Sequence, residues 1–409
     1  MNTSARSRPA PSALGTRSRR NAHDIAIVGA GMVGATLALK LARGGFDVAV
    51  VEPRPPPSWR GDDDVDLRVV ALAPSSVRLL DDVGAWPAIA AARACAYRRM
   101  YVWDALAPGS LGFDSADDGI DALGWIVENK LVQDRLWQAL DAAGIALHCP
   151  ARAVATRIDG DRRLLELEDG ASVAARLVVA ADGGESPLRD QVGIATRDRD
   201  YGQRAIVAHV ATARPHEFTA WQRFVPGGTV ALLPLADGRS SVVWSVPLAD
   251  AERLLALDDG AFRAELGAAF DFRLGTIDAT TPRAAFPLRL KLAGRYLADR
   301  FALVGDAAHV VHPLAGQGVN LGLRDAVELA DVVIDARGKK LDFAAATTLR
   351  RYERRRRSDN ALSAHAFDAI QRVFGSTALP LAGVRGAGLA TVDRIAPLKR
   401  LFARHAAGR

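Results

Sequence analysis

The strongest constraint on this chain is a short apolar run, Asp24-Ile-Ala-Ile-Val28, followed at once by Gly29-Ala-Gly31-Met-Val-Gly34 and then by Leu37, Leu39 and Leu41. Gly44-Gly45 ends the helix that these leucines imply, and Asp47-Val-Ala-Val-Val51 reads as the next strand. Strand, Gly-rich turn, helix and strand make a βαβ unit. Gly29 permits the tight turn, Gly31 lets a pyrophosphate approach the backbone, and Gly34 lets helix and strand pack. The helix N-terminus offers free N–H groups and partial positive charge to that pyrophosphate. Glu52 ends the second strand, where the dinucleotide fingerprint places an acid for the ribose hydroxyls. An acid there argues for an adenosine ribose without a 2′-phosphate, hence FAD or NAD.

A second strand, Phe301-Ala-Leu-Val304, ends in Gly305-Asp306. A carboxylate at the carboxyl end of a sheet sits where ligands bind. His312-Pro313-Leu-Ala-Gly316-Gln-Gly318-Val-Asn320 follows as a close-approach loop, and a helix is expected from Leu321. Its N-terminus would aim donors and positive dipole at whatever lies over the loop, which suits the negative N1–C2=O edge of a reduced flavin. No second Gly-x-Gly-x-x-Gly is present, so a nicotinamide would visit transiently.

Composition removes other classes. With 409 residues, 49% hydrophobic and 24% charged, the chain can fill cores in two or three domains. No apolar run reaches the roughly 18 residues of a membrane-spanning helix. Cys95 and Cys149 are far apart, which excludes a disulfide framework, a zinc cage and an iron–sulfur cluster. The net charge of +6 comes mainly from scattered arginine. Its two clusters, the N-terminal tail and Arg350 to Arg357, accompany no nucleic-acid recognition motif, so no nucleic-acid partner is expected. His309 and His312 have poor metal spacing and read as loop-shaping residues, so no metal is expected. Stretches 97–103, 205–212, 221–225, 229–235 and 241–247 are rich in Val, Trp, Tyr and Thr and read as a mixed or antiparallel sheet.

The run His312-Pro-Leu-Ala-Gly-Gln-Gly-Val-Asn-Leu-Gly-Leu-Arg-Asp325 resembles, without a gap, the signature of the ubiquinone-biosynthesis flavin hydroxylases, members of the para-hydroxybenzoate-hydroxylase-like flavin monooxygenases. Ala181-Asp182-Gly183 with Arg189 resembles the Asp-Gly motif of that class, and Gly124-Trp-Ile-Val-Glu128-Asn129 also resembles these hydroxylases. The resemblance implies an α/β fold with a discontinuous Rossmann-like FAD-binding domain (23–75, 125–190 and 283–335). It adds a mixed β-sheet substrate-binding domain (76–124 and 191–282) and a C-terminal helical region (336–409); residues 1–22, rich in arginine and without an acid, lie outside the resemblance and read as a disordered basic tail. Carried over by position, Gly29, Gly31, Gly34 and Glu52 would hold the ADP half. Asp182, Gly305 and Asp306 would meet FAD, with Asp306 on the ribityl chain. Pro313, Gly316, Gly318 and Asn320 would line the isoalloxazine edge, and Arg68 and Asn129 would be further flavin contacts. Arg189 reads as structural or as part of a surface salt bridge.

The activity implied is ring hydroxylation of a polyprenylated phenol with FAD, NAD(P)H and O2, the oxygen adding first at the flavin C4a. The cofactor would carry the chemistry, so no catalytic side chain is named. Trp103, Trp221, Phe224, Leu233 and Trp244 are candidates for an apolar substrate wall. Other proteins of the same pathway are implied partners. Peripheral contact with the inner membrane from the cytoplasm is expected through Leu379 to Arg409; a mitochondrial setting would follow only if the basic tail were a transit peptide. The alternatives are a flavin hydroxylase of another phenol, a prenyl-chain reductase, or a non-catalytic flavoprotein subunit.

Overall fold

The computed structural model describes residues 22–107, 109–311 and 317–375. The expected tail, apart from Ala22, and the stretch from Leu379 lie outside these residues. In chain order the elements used below are β1 (Ala22–Val28), α1 (Met32–Arg43), β2 (Val48–Val51), β3 (Val69–Leu72), α2 (Pro74–Asp82), β4 (Gly124–Glu128), α3 (Asn129–Ala142), β5 (Ser172–Ala180), β6 (Thr196–Thr212), β7 (Ser240–Pro247), β8 (Phe301–Leu303), α4 (Gln317–Gly338) and α5 (Ala346–Gly375).

The first sheet runs β8–β5–β1–β2 and then Ala146–His148, with all these neighbours parallel. Its strands are continuous apolar runs because both faces are covered. Ile25, Ile27, Val50, Val178 and Phe301 are buried completely or nearly so. Helix α1 buries Ala35, Leu37, Ala38 and Leu41 fully, and each fully buried leucine is worth about 1.5–3 kcal/mol. Sequence-distant segments therefore share one core, which Phe343, Leu349 and Tyr352 of the C-terminal region also enter. Tyr352 donates its hydroxyl to the Leu303 carbonyl at 2.6 Å, locking α5 onto the end of β8. Residues 76–93, placed with the substrate domain by sequence, also pack here: Val77, Leu79, Leu80 and Ile89 belong to this core. Their apolar spacing gives two short helices, and that amphipathic face carries no mark of which sheet will receive it.

The second sheet is large and mixed. It contains β6, β7, Gly228–Pro234, Thr219–Val225, Arg99–Asp104, Ser110–Asp114 and Ala284–Ala293. Most pairs are antiparallel, but Thr219–Val225 and Arg99–Asp104 run parallel. Helices Leu248–Ala256 and Asp259–Ala269 cover one face, burying Leu254, Phe262 and Leu266. Across the other face lies a small sheet of β3, β4 and Cys95–Tyr97, and the cavity described below opens between the two.

Candidate active site

Strand register assembles the site. Val51 pairs with Val28, Val28 with Ala180, and Ala180 with Leu303. The four chain segments that follow these residues therefore leave one edge of the sheet side by side: Gly29–Gly34, Glu52, Ala181–Gly183 and Gly305–Asp306. Backbone bonds continue the alignment past the strands, from Gly29 N to Val51 O, Ala181 N to Val28 O and Val304 N to Ala180 O, at 2.8–3.0 Å. This is the carboxyl edge of a parallel sheet, where ligands bind in open α/β folds.

The three fingerprint glycines meet three different demands. Gly29 has φ +103°, and a Cβ there would lie 2.3 Å from the Ala181 carbonyl oxygen. A Cβ on Gly34 would lie 1.9 Å from the Gly29 oxygen, so this glycine lets α1 sit on β1. A Cβ on Gly31 would meet nothing within 4 Å: it faces open space at the start of α1. Glu52 is fixed beside this turn, its Oε2 accepting from Ala30 N at 2.7 Å.

At the second turn Gly305 is left-handed (φ +61°) and packs on Val33. Asp306 follows, solvent-accessible. Burial by the surrounding protein raises its carboxyl pKa, while His309 and Arg68 pull it down, so Arg68 stands on the same side of the site. Arg68 itself lies over the Phe286 ring at 5.6 Å. Asn129 opens α3, and its Oδ1 is buried without a hydrogen-bond partner. Asp182 is also raised by burial, partly offset by the Ser186 hydroxyl. Gly318 lies in the first turn of α4 rather than in a loop, and a Cβ there would meet open space. Pro313 and Gly316 lie outside the described residues. Asn320, in the first turn of α4, is buried; its carboxamide donates to Ala71 O and accepts from Ala73 N and the Ser76 hydroxyl at 2.7–2.9 Å, so it holds the turn between β3 and α2. Arg189 is buried and structural: it donates to the carbonyls of Gly184 and Ala307, tying the Asp182 turn to the Asp306 turn. The open ground before Gly31 and Gly318, the accessible Asp306 carboxylate and the orphaned Asn129 oxygen fit a bound FAD.

Two supports were not visible in sequence. Directly beneath Gly305, the buried Asp325 accepts from Gly305 N at 3.0 Å, His309 Nε2 at 2.5 Å, Arg356 Nε at 2.7 Å and Asn360 Nδ2 at 3.0 Å. Burial would raise the Asp325 carboxyl, but His309 and Arg356 outweigh it and hold it at about 2. Sequence spacing did not show which acid His309 meets, because Asp325 is 16 residues on, at the end of the signature. Likewise one member of the arginine cluster 350–357, Arg356, is buried as an internal clamp, while the others are exposed. Arg356 meets Asp325 and Asp359, Arg355 meets Glu328, and Arg351 meets Asp335. The second support is Glu128, which accepts from Trp59 Nε1 and Asp66 N and pairs with Arg93 at 3.0 Å. It straps the Asp-rich loop 53–66 beneath Arg68.

A cavity of about 340 Å³ extends from Arg68, Phe286 and Val310 into the space between the second sheet and the small sheet, past Tyr97, Ile126, Val243 and Trp221. Of the five proposed wall residues, Trp221 and Leu233 line it. Trp103 and Trp244 instead pack on Phe270 and Phe262 in the second core, and Phe224 is buried off the lining. Side chains alternate across a strand, and composition does not say which set faces the cavity. Among the described residues no group of three His, Cys, Asp or Glu could hold a metal.

A family model described as "FAD binding domain" matches residues 22–362. The chain is 39% identical to the Escherichia coli "3-demethoxyubiquinol 3-hydroxylase", over 94% of this chain and 98% of that one. It is 40% identical to "Ubiquinone hydroxylase UbiL" of Rhodospirillum rubrum, over 97% and 93%. It is 33% identical to human "Ubiquinone biosynthesis monooxygenase COQ6, mitochondrial", over 92% and 91%. Among solved structures, PqsL of Pseudomonas aeruginosa superposes with a TM-score of 0.73 at 25% identity, covering 90% of this chain and 99% of that one. With the fingerprint turn, the Gly-Asp turn and the cavity converging on one sheet edge, and with relatives matched along nearly their whole length, this chain belongs to the FAD-binding-domain family and, within it, to the flavin hydroxylases of ubiquinone biosynthesis.

Proposed function

We propose that the protein hydroxylates the aromatic ring of a polyprenylated phenol or benzoquinol on the route to ubiquinone, using FAD, NAD(P)H and O2. The observation that carries this reading is the continuity between the two halves of the site: the cavity begins at Arg68, beside Asp306, and runs inward along an otherwise largely apolar wall. FAD, when bound and reduced by NAD(P)H, supplies the dioxygen activation that no side chain can provide. The protein's part is to bind, orient and exclude water. The N-terminus of α1 and Gly31 receive the pyrophosphate, Glu52 the adenosine ribose and Asp306 the ribityl hydroxyls. Gly318 and the start of α4 bring backbone donors and positive dipole to the isoalloxazine edge. Arg68 and Asn129 flank that edge. A cavity walled by Val243, Leu233, Ile126 and Trp221 would keep water from the reacting ring.

Purified protein should be yellow, acid should release its FAD, and a prenylated phenol should stimulate NAD(P)H oxidation. NAD(P)H oxidation indifferent to every prenylated phenol would remove the substrate reading, and protein that stays colourless with added FAD would remove the flavin sites. Asp306→Ala should lose about 1–3 kcal/mol of FAD binding, because ribityl hydroxyls are left unpaired.

A further inference from the structure

On β6, Ala205 and Val207 line the cavity. Alternation puts His209 on the same face, two residues further along. Ser241 of β7 lies directly opposite His209, and Ser241 also lines the cavity. Both backbone groups of His209 are turned the other way. Its N–H donates to Thr281 Oγ1 and its carbonyl accepts from Thr281 N, each at 2.9 Å. The His209–Ser241 pair is therefore of the non-hydrogen-bonded kind, in which facing side chains stand closest. Both residues are 1% exposed, yet neither His209 Nδ1 nor Ser241 Oγ has a hydrogen-bond partner. Buried polar atoms are nearly always paired, so two orphans facing each other across a cavity wall mark a place for a third polar group.

The chemistry of that group follows from the imidazole. His209 Nε2 lies 3.1 Å from the Asp66 carbonyl, which can only accept, so Nε2 holds the proton and a neutral ring presents Nδ1 as an acceptor. Burial lowers the imidazole pKa, with Arg239 acting in the same direction and the Asp66 carbonyl and Asp237 opposing them. Ser241 supplies a hydroxyl donor. An acceptor beside a donor suits one hydroxyl group. Arg68 lies over Phe286, which pairs with Ala205, so the His209–Ser241 pair stands four residues further along β6, deeper in the cavity, where the Asp66 carbonyl reaches His209.

We propose that His209 and Ser241 hold the ring hydroxyl of the substrate, its O–H donating to His209 Nδ1 and its oxygen accepting from Ser241 Oγ. This rests on the aromatic-hydroxylase reading above and names the groups that orient the ring. A phenol that donates to nitrogen is richer in electron density, so the same contact favours oxygen transfer to the ring. Equilibrium dialysis of the FAD-loaded enzyme with a short-chain prenylphenol and with its O-methyl ether tests the pair. The wild type should prefer the phenol by about tenfold or more, since a site built to bond a hydroxyl rejects an analogue that cannot donate. His209→Leu and Ser241→Ala should each erase most of that preference while keeping full FAD content. His209→Asn, whose carboxamide oxygen replaces the acceptor, should restore part of it. In kcat/KM the acidic limb caused by protonating His209 should vanish in His209→Asn. If FAD-replete His209→Leu and Ser241→Ala both keep the wild-type preference, the pair is not the hydroxyl site. If the wild type binds neither compound and neither stimulates NAD(P)H oxidation, the hydroxylase reading falls and this proposal with it.

Discussion

At the scale of single residues, Gly31 and Asp325 differ in how they would serve the proposed FAD site. Gly31 has open space where a Cβ would go, so Gly31→Val should fold normally and fail to retain FAD. Unchanged flavin absorbance after gel filtration of that variant would refute the role. Asp325 acts through the turn above it. Its carboxyl sits at about 2 in the folded protein against 3.8 for the ordinary group. A depressed folded-state pKa contributes stability that is complete above the unfolded value and disappears as pH falls through the folded one. The contribution of Asp325 should therefore be present above about pH 4 and be lost between about pH 4 and 2. Asp325→Asn removes the charge facing Arg356 and His309, and breaking a buried pair in this way costs about 3–5 kcal/mol. Urea midpoints at neutral pH should show that deficit, and the gap from wild type should narrow as the medium is acidified below pH 4. A gap that does not depend on pH would mean that Asp325 is not ionised in the fold.

At the scale of elements, the site depends on how closely α4 approaches the Gly305 turn. A Cβ on Gly322 would lie 2.7 Å from a Val33 methyl and 3.1 Å from the Gly305 Cα. The methyl can give way, but the backbone of a left-handed turn cannot do so without moving Asp306. Gly322→Ala should cost about 1–3 kcal/mol through overpacking and weaken FAD binding more than it lowers Tm. Equal FAD affinity with a lowered Tm would confine the contact to stability. The loop 53–66 makes a related point. Its Pro and Asp content reads as a solvated connection, yet Glu128 and Lys130 bind it through Trp59, Asp63 and Asp66, and the carbonyl of Asp66 in turn holds His209.

At the scale of the whole molecule, the substrate proposed above lives in a bilayer, while no helix among the described residues is long and apolar enough to cross one. We propose that Leu379 to Arg409, which mixes Leu389, Val392, Ile395, Leu398 and Phe402 with Arg385, Arg394, Lys399, Arg400 and Arg404, brings the enzyme to an anionic surface. Each basic residue near such a leaflet adds about 1 kcal/mol, screened beyond a Debye length of about 8–10 Å. The protein should pellet with anionic vesicles at low salt and be released by high salt without detergent. Equal binding to neutral vesicles would remove the electrostatic part, and truncation after Ala378 that leaves binding intact would remove the segment.

The βαβ unit, the two acid-bearing strand ends and the signature before Asp325 were readable from the chain, because local spacing and glycine geometry are written in consecutive residues. The flavin-hydroxylase family followed from them. The mixed second sheet was readable too, from its β-branched and aromatic runs. Other features depend on residues that sequence separates by tens or hundreds of positions. Asn320 turns to Ala71 and Ser76, His309 finds Asp325 and Arg356, the helices at 74–93 join the first core, and Trp103 and Trp244 face away from the cavity. Which face of an element is buried, and against what, is settled only when sheets pack. The pairing of His209 with Ser241 is of the same kind: two ordinary strand residues become a candidate recognition point only through β-register and the loss of water around them.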